Sequence, residues 1–243
     1  MPSYKMEEEQ EEKKKNIIST GHSEIDKKLG GGIPAGSLVL IEGESDSGKS
    51  VFCQQLIWGS LKNDYDALLF TTESSVRSLI PQMDSLGLGI LDFLLLGKFT
   101  VFSVKPSEIR GAGVSNFRTL LETFAQSKPN QLCILDSLTP IVSHAKGDDA
   151  LSFFEGCRAL CDKGRTIVNV THTFAFEQDF LIRIRSACDA HFKFNIEKVG
   201  DKLVKTLEVS KIRGAAQSTG NILSFDVEPE IGMKIMPMSR AKA

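Results

Sequence analysis

The chain has 243 residues, of which 41% are hydrophobic and 25% are charged. This composition is typical of a globular protein with one well-buried core, and no long apolar run predicts a membrane span. The formal net charge of −2 provides no overall basic surface for nucleic acid. Five scattered cysteines, an odd number, argue against a disulfide framework and suit a reducing, cytoplasmic compartment.

The first fifteen residues differ in character from the rest of the chain. Glutamates and lysines dominate residues 1–15, which have almost nothing apolar to bury. We interpret this segment as a solvated, disordered arm. Residues 16–243 are expected to form a single ATPase-sized domain, because the length leaves little room for a second one.

A phosphate-binding loop is the strongest signal in the sequence. An apolar strand-like run and a helix-like segment enclose the motif G-x-x-x-x-G-K-S at residues 43–50. The glycines Gly43 and Gly48 let backbone N–H groups point at phosphates, Lys49 reaches the β- and γ-phosphates, and Ser50 ligates Mg²⁺. The following helix directs its positive end at the anion. The predicted nucleotide-binding residues are Gly43, Glu44, Ser45, Asp46, Ser47, Gly48, Lys49, Ser50 and Val51.

Downstream of this loop, apolar strand-like runs alternate with segments of helical spacing as far as His172. Such alternation predicts parallel strands with helices on both faces of the sheet. Beyond Asp189, runs at 191–198 and 203–210 are separated by too few residues for a crossover helix, so they predict a hairpin. The predicted fold is α/β, a P-loop NTPase core with a mostly parallel central sheet flanked by helices and a C-terminal antiparallel extension.

Two carboxylates follow predicted strands and are expected to meet the loop, because ligands bind at the carboxyl ends of parallel strands. Asp136 ends the run 132–135 and is predicted to hold Mg²⁺ with Ser50, through water. Its alternative role is to cap a turn. Glu73 is the candidate general base that orients an attacking water, although a capping role beside Ser74 is nearly as well supported.

A histidine and two cations complete the predicted site. His172 closes a strand, where a neutral imidazole could bind the γ-phosphate region and report its presence to residues 173–186, taken as a loop; a structural histidine is an equal alternative. Lys211 and Arg213 stand two apart, so one strand face could present two cations to phosphate. The alternative for that pair is an exposed basic strand edge. The remaining histidines, His22, His144 and His191, lack a companion ligand pattern and indicate no chemistry.

Taken together, several motifs resemble the KaiC-like branch of the RecA-type ATPases over almost the whole chain after Asn16. The resemblance implies a RecA-like core that forms rings, often hexamers, with ATP and Mg²⁺ bound between subunits. Lys211 and Arg213 would then reach the γ-phosphate of a neighbouring subunit. The motifs are Ser19-Thr20-Gly21, Asp26, Leu29 to Pro34, Gly36-Ser37-Leu38, the phosphate loop, and Lys211 to Gly214.

Within this branch, residues 70–73, 135–138 and 224–237 look most like the accessory ATPases of the archaeal flagellum, the archaellum. That likeness implies a cytoplasmic protein at the membrane-embedded motor, which contacts the motor ATPase and a membrane platform protein. It reaches the membrane only through those partners, with no nucleic acid expected. It also implies motility as the process served, and slow ATP turnover.

One departure from the branch concerns the general base. Clock-type relatives carry paired glutamates where this chain has Thr72-Glu73, which weakens the prediction of efficient hydrolysis. Two alternatives stay open. One is a DNA-dependent, recombinase-like ATPase, for which the aromatic and basic residues of 174–185 provide some support. The other is a clock-like kinase acting on its own serines or threonines.

Overall fold

A nine-stranded sheet forms the centre of the molecule in the computed structural model, which describes residues 16–105, 113–128, 131–143, 145, 147–217 and 221–237. The predicted charged arm, residues 1–15, lies outside these ranges. None of the described helices is both long and apolar enough to cross a membrane.

Strands and helices are numbered here in chain order within the described ranges. The strands are β1 (Ile17–Ile18), β2 (Ile33–Pro34), β3 (Leu38–Gly43), β4 (Ala67–Thr71), β5 (Phe99–Ser103), β6 (Leu132–Asp136), β7 (Thr166–His172), β8 (Ala190–Val199), β9 (Lys202–Ile212), β10 (Ile222–Glu228) and β11 (Gly232–Met236). The helices are α1 (Ser23–Lys28), α2 (Lys49–Lys62), α3 (Val76–Ser85), α4 (Leu91–Leu95), α5 (Gly113–Gln126), α6 (Thr139–Val142), α7 (Gly147–Cys161) and α8 (Gln178–Ala187).

The sheet has the strand order β11-β10-β9-β8-β3-β7-β6-β4-β5. The pairs from β8 to β5 are all parallel, whereas β9, β10 and β11 extend the sheet as antiparallel neighbours. Strands β1 and β2 form a separate small antiparallel pair. The predicted α/β architecture, with a parallel centre and a C-terminal antiparallel extension, is therefore confirmed.

Two apolar clusters pack on opposite faces of the sheet, and strand β3 shows how its residues serve both. Val39 and Ile41 belong to the cluster beneath helices α2 and α3. Leu38 and Leu40 belong to the cluster beneath α5, α7 and α8. Because successive strand residues point to opposite faces, a strand buried on both sides carries a continuous apolar run. This buries the strand that leads into the phosphate loop.

One predicted loop is a helix. The sequence predicts a loop over residues 173–186, but helix α8 occupies Gln178–Ala187. Leu181 and Ile184 are its two buried residues, and both pack into the second apolar cluster. Two buried apolar residues three positions apart are too few to give a clear helical periodicity in the sequence. The helix forms because most helical stability in proteins comes from tertiary packing rather than from propensity.

Candidate nucleotide-binding site

The phosphate loop connects the end of β3 to the start of α2, and its two motif glycines are sterically required. Gly48 has a φ of +99°, and a Cβ there would lie 2.8 Å from the ring of Phe225. A Cβ on Gly43 would lie 2.5 Å from the carbonyl oxygen of Phe194. Glycine alone readily adopts the left-handed backbone found at Gly48, and at both positions only glycine leaves room for such a close neighbour. The antiparallel extension thus packs directly against the loop.

Lys49 is buried at the first turn of α2, and its ammonium is held by the loop itself. Nζ donates hydrogen bonds to the carbonyl oxygens of Gly43, at 3.1 Å, and Glu44. Burial lowers the pKa of Lys49, whereas the nearby carboxylates of Asp136 and Glu73 favour its charged form. The ammonium is therefore positioned beside the cavity that the loop encloses.

The carboxyl ends of four neighbouring strands, β3, β7, β6 and β4, converge on a cavity of about 320 Å³. Of the predicted site residues, the cavity brings together 45–51, Glu73, Asp136 and His172. Gly43 and Glu44 lie behind it, where their carbonyls accept the bonds from Lys49. This convergence at strand ends is what the parallel topology predicts.

Asp136, at the end of β6, is 7% exposed and hydrogen-bonded to the hydroxyl of Ser50. Burial raises its pKa to about 6, an effect that the charge of Glu73 reinforces and that Ser50 and Lys49 oppose. A buried carboxylate beside a hydroxyl is the oxygen donor set that Mg²⁺ prefers, so the residues fit this metal. No group of three or more His, Cys, Asp or Glu side chains in the described ranges could hold a metal alone. A metal here would share its coordination with nucleotide phosphates and water.

Glu73 accepts a hydrogen bond from Ser137, which directly follows β6 and was not predicted as a site residue. The hydroxyl of Ser137 donates to Glu73 Oε1 at 3.0 Å, and its N–H donates to the hydroxyl of Thr72 at 3.1 Å. Thr72 is 8% exposed and joins the ends of β4 and β6. Thr72 therefore has a structural role, and Glu73 is the carboxylate that the end of β4 contributes to the cavity.

The side chain of His172 is oriented by Thr139. The hydroxyl of Thr139 accepts the backbone N–H of His172 at 2.9 Å and lies 3.0 Å from Nδ1. When that hydroxyl donates its proton to Nδ1, the neutral ring carries its own proton on Nε2. Burial and the charge of Lys49 lower the pKa of His172, which favours the neutral ring. Its proposed contact with the γ-phosphate region stays a prediction.

Two further residues that the sequence analysis did not predict, Gln82 and Lys205, line the cavity because the tertiary structure brings them there. Gln82 comes from α3, three residues after the buried Leu79. Lys205 comes from β9, where it shares the strand face of the buried residues Leu207 and Val209. A lysine in the apolar positions of an alternating strand is a signal that could have identified it.

Lys211 and Arg213 lie away from this cavity. Strand β9 runs antiparallel to β8, which pairs Lys211 with His191 near the amino end of β3, at the opposite end of the sheet from the loop. The Lys211 ammonium donates to carbonyls at the C-terminal end of α8, those of Arg185, Ser186 and Cys188. Arg213 pairs with Asp189 at 3.6 Å. Arg213 stands one residue beyond the end of β9. The role of these cations on a neighbouring subunit stays a prediction.

Comparison with known proteins agrees with this geometry. The profile of the KaiC ATPase family matches residues 18–240. The archaeal flagellar ATP-binding protein FlaH of Sulfolobus acidocaldarius is 29% identical over 93% of this chain and 100% of its own length. FlaH of Methanocaldococcus jannaschii is 30% identical over 90% of this chain and 94% of its length. The crystal structure of the flagellar accessory protein FlaH from M. jannaschii superposes with a TM-score of 0.80 at 26% identity and covers 91% of this chain and 99% of that one. The resemblance inferred from the motifs is confirmed, and the chain belongs to the KaiC family of ATPases.

Proposed function

We propose that this chain is the ATP-binding regulatory subunit of an archaeal flagellar motor, in which it assembles as a nucleotide-dependent ring and modulates the motor ATPase. The observation that carries the proposal is the division of the molecule between two ends of one sheet. One end holds a complete phosphate cavity, and the other presents Lys211 and Arg213. A ring in which the cations of one subunit face the phosphates of the next uses both ends.

The phosphate loop and four side chains of the cavity, those of Lys49, Ser50, Asp136 and His172, have roles in binding Mg-ATP. The loop N–H groups and Lys49 would bind the phosphates, while Ser50 and Asp136 would hold Mg²⁺, which supplies neutralisation of the phosphate charge when bound. In the tautomer that accepts the Thr139 proton at Nδ1, His172 donates a hydrogen bond from Nε2 toward the γ-phosphate and so distinguishes ATP from ADP.

Slow turnover follows from the general-base position. Glu73 orients water, but one of its oxygens accepts the hydrogen bond from Ser137. Thr72, where relatives of the clock type carry another carboxylate, is buried and bonded to the backbone of Ser137. A single, partly engaged carboxylate suits a protein that uses ATP chiefly for binding and assembly.

The partners proposed are further copies of the chain in a hexameric ring, the motor ATPase and the membrane platform protein. The relatives that carry the name FlaH are called archaeal flagellar ATP-binding proteins, and their similarity spans nearly the whole chain. We place this protein in the cytoplasm, at the cytoplasmic face of the motor, by the same argument.

The DNA-dependent alternative loses support from the residues on which it depended. Phe176 and Phe180 pack against each other with ring centroids 5.3 Å apart, and both pack on the second apolar cluster. Arg185 is paired with the buried Glu42. Phe174 stacks on His172 with ring centroids 5.2 Å apart, and at 74% exposure it keeps its other face available to stack on a base.

The deciding experiment measures the mass of the protein in solution without nucleotide, with Mg-ADP and with Mg-ATP, and assays phosphate release with and without single-stranded DNA. Rings that form with Mg-ATP, ignore DNA and release phosphate slowly are expected. A Lys49→Ala variant serves as the control that cannot respond to nucleotide. Phosphate release strongly stimulated by DNA would contradict the proposal and favour the recombinase-like alternative.

A further inference from the structure

A second, smaller chamber of about 110 Å³ lies directly beside the nucleotide cavity, between α2, α3 and the ends of β4 and β6. Four residues line both spaces, so the two are continuous: Ser50, Glu73, Gln82 and Asp136. The chamber therefore begins at the proposed metal site and extends away from the phosphates.

A buried glutamine in this chamber has an oxygen with no partner. Gln54 is 5% exposed, and its Oε1 has no hydrogen-bond donor among the described residues. It stands four residues after Ser50 on α2, so both side chains lie on the same face of that helix. A buried acceptor left unpaired costs about 1–3 kcal/mol, which indicates that a donor occupies the chamber in the working protein.

The chemistry of the lining identifies that donor. The two charged residues of the lining, Glu73 and Asp136, are both carboxylates, and Gln54 contributes a carbonyl oxygen without a donor. The polar side of the chamber therefore favours a ligand that donates hydrogen bonds, while Ile57, Leu69 and Leu79 form its apolar side. A space of this volume holds several water molecules, because about 10–15 Å³ is enough for one. Mg²⁺ keeps several of its waters when it binds to a protein, and those waters are strong hydrogen-bond donors.

We propose that the chamber binds the water-bearing side of the Mg²⁺ ion, and that Gln54 is a positioning residue which accepts hydrogen bonds from metal-bound water. This inference rests on the proposed function, since it requires Mg²⁺ with nucleotide at Ser50 and Asp136. Gln54 thereby contributes to the affinity of the nucleotide complex for its divalent cation without touching the nucleotide.

The adjacent residue provides a matched control. Gln55 is 2% exposed, and its Oε1 accepts the backbone N–H of Met233 at 3.1 Å. Gln55 thus performs a structural task that Gln54 does not. Gln54→Met and Gln55→Met remove the same groups from neighbouring buried positions, with opposite expected consequences.

The experiment uses Mn²⁺ as the probe and measures its affinity for the ADP-bound protein from the free-ion signal in electron paramagnetic resonance. Gln54→Met is expected to weaken Mn²⁺ binding about tenfold, as is typical when a residue supporting a metal site is lost, with no loss of thermal stability. Gln55→Met is expected to lower the melting temperature and leave Mn²⁺ affinity unchanged. Gln54→Glu keeps an oxygen in place and is expected to retain Mn²⁺ affinity.

Wild-type Mn²⁺ affinity in Gln54→Met would overturn this inference and leave the proposed function intact. Should that variant fail to fold, Gln54→Ala permits the same comparison. A parent protein that binds ADP or ATP without any dependence on a divalent cation would overturn both the inference and the metal role of Asp136. The two failures are therefore distinguishable.

Discussion

Asp136 shows, at the scale of a single residue, that a buried carboxylate placed to bind a metal can reduce the stability of the protein without its ligand. The side chain is 7% exposed, and burial raises its pKa from an ordinary value of 3.8 to about 6. A carboxyl whose pKa is higher in the folded state binds protons more tightly there, so stability falls as the pH rises from about 4 through 6. At neutral pH, therefore, the ionised Asp136 destabilises the protein that has no nucleotide.

We expect Asp136→Asn to raise the free energy of unfolding of the nucleotide-free protein at pH 7.5. The upper bound is about 3 kcal/mol, from a shift of about two pKa units at 1.36 kcal/mol per unit. The same variant should lose the Mg²⁺ dependence of ATP binding, because its amide lacks the negative charge of the metal ligand. Urea denaturation and ATP titration with and without Mg²⁺ measure the two effects. A variant less stable than the parent at pH 7.5 would contradict the prediction.

Helix α8 is the element that links the phosphate loop to the far end of the sheet. Arg185 reaches from α8 to Glu42, 2.5 Å away, which directly precedes the loop on β3 and is fully buried. His191 Nε2 lies 2.9 Å from the same carboxylate oxygen. Lys211 donates to the carbonyls at the C-terminal end of the helix, where cations are favoured. The helix is therefore held by charges at the end that faces the predicted trans cations.

Removing Arg185 should leave the Glu42 carboxylate buried with less compensation. Burial raises the pKa of Glu42, but His191 and Arg185 together lower it below its ordinary value of 4.5. The stabilisation they provide is thus present above pH 4.5 and is lost as the pH falls through the lowered pKa of the folded state. We expect Arg185→Met to cost about 2–3 kcal/mol at pH 7, at the low end for buried pairs because the arginine is 31% exposed.

Denaturation of this variant over a pH series provides the measurement. The difference in stability between Arg185→Met and the parent should shrink below pH 4.5, where Glu42 becomes protonated. Arg183→Met, an exposed position two residues earlier on α8, is the control and should change stability by less than about 0.5 kcal/mol. A pH-independent deficit in Arg185→Met would assign the loss to packing instead.

These elements also show what a sequence can predict and what it cannot. The phosphate loop, Asp136 and His172 could be placed because each follows an apolar strand, and parallel strands bring their ends together. Helix α8 could not, since its stability depends on two buried residues and on one ion pair with a distant strand. Ser137 likewise reaches Glu73 through a contact that only the assembled sheet creates. Lys205 had a sequence signal, its place among the apolar positions of β9, but only the assembled sheet shows that it lines the cavity.

At the scale of the whole molecule, the sheet separates the two parts of the predicted active site. Lys205 lines the cavity, whereas Lys211, six residues further along β9, lies near the opposite end of the sheet. Six residues of extended strand span about 20 Å, so Arg213 cannot reach the phosphates of its own chain without unravelling β9. The cations can act on nucleotide only if another subunit provides it.

Mixing two inactive variants tests that arrangement. Lys49→Ala removes the phosphate-binding lysine but keeps the cations, whereas Arg213→Ala keeps the loop and removes a cation. We expect neither variant to assemble with Mg-ATP alone, while an equimolar mixture forms mixed dimers, because the loop of the Arg213→Ala subunit then faces the cations of the Lys49→Ala subunit. The next interface around a ring would lack both Lys49 and Arg213, so assembly should stop before the ring closes. Light scattering measures the assembly. As a control, Lys49→Ala mixed with a Lys49→Ala/Arg213→Ala double variant contains no complete interface and should stay unassembled. A mixture of the two single variants that assembles no better than its components would show that Arg213 does not act across the interface.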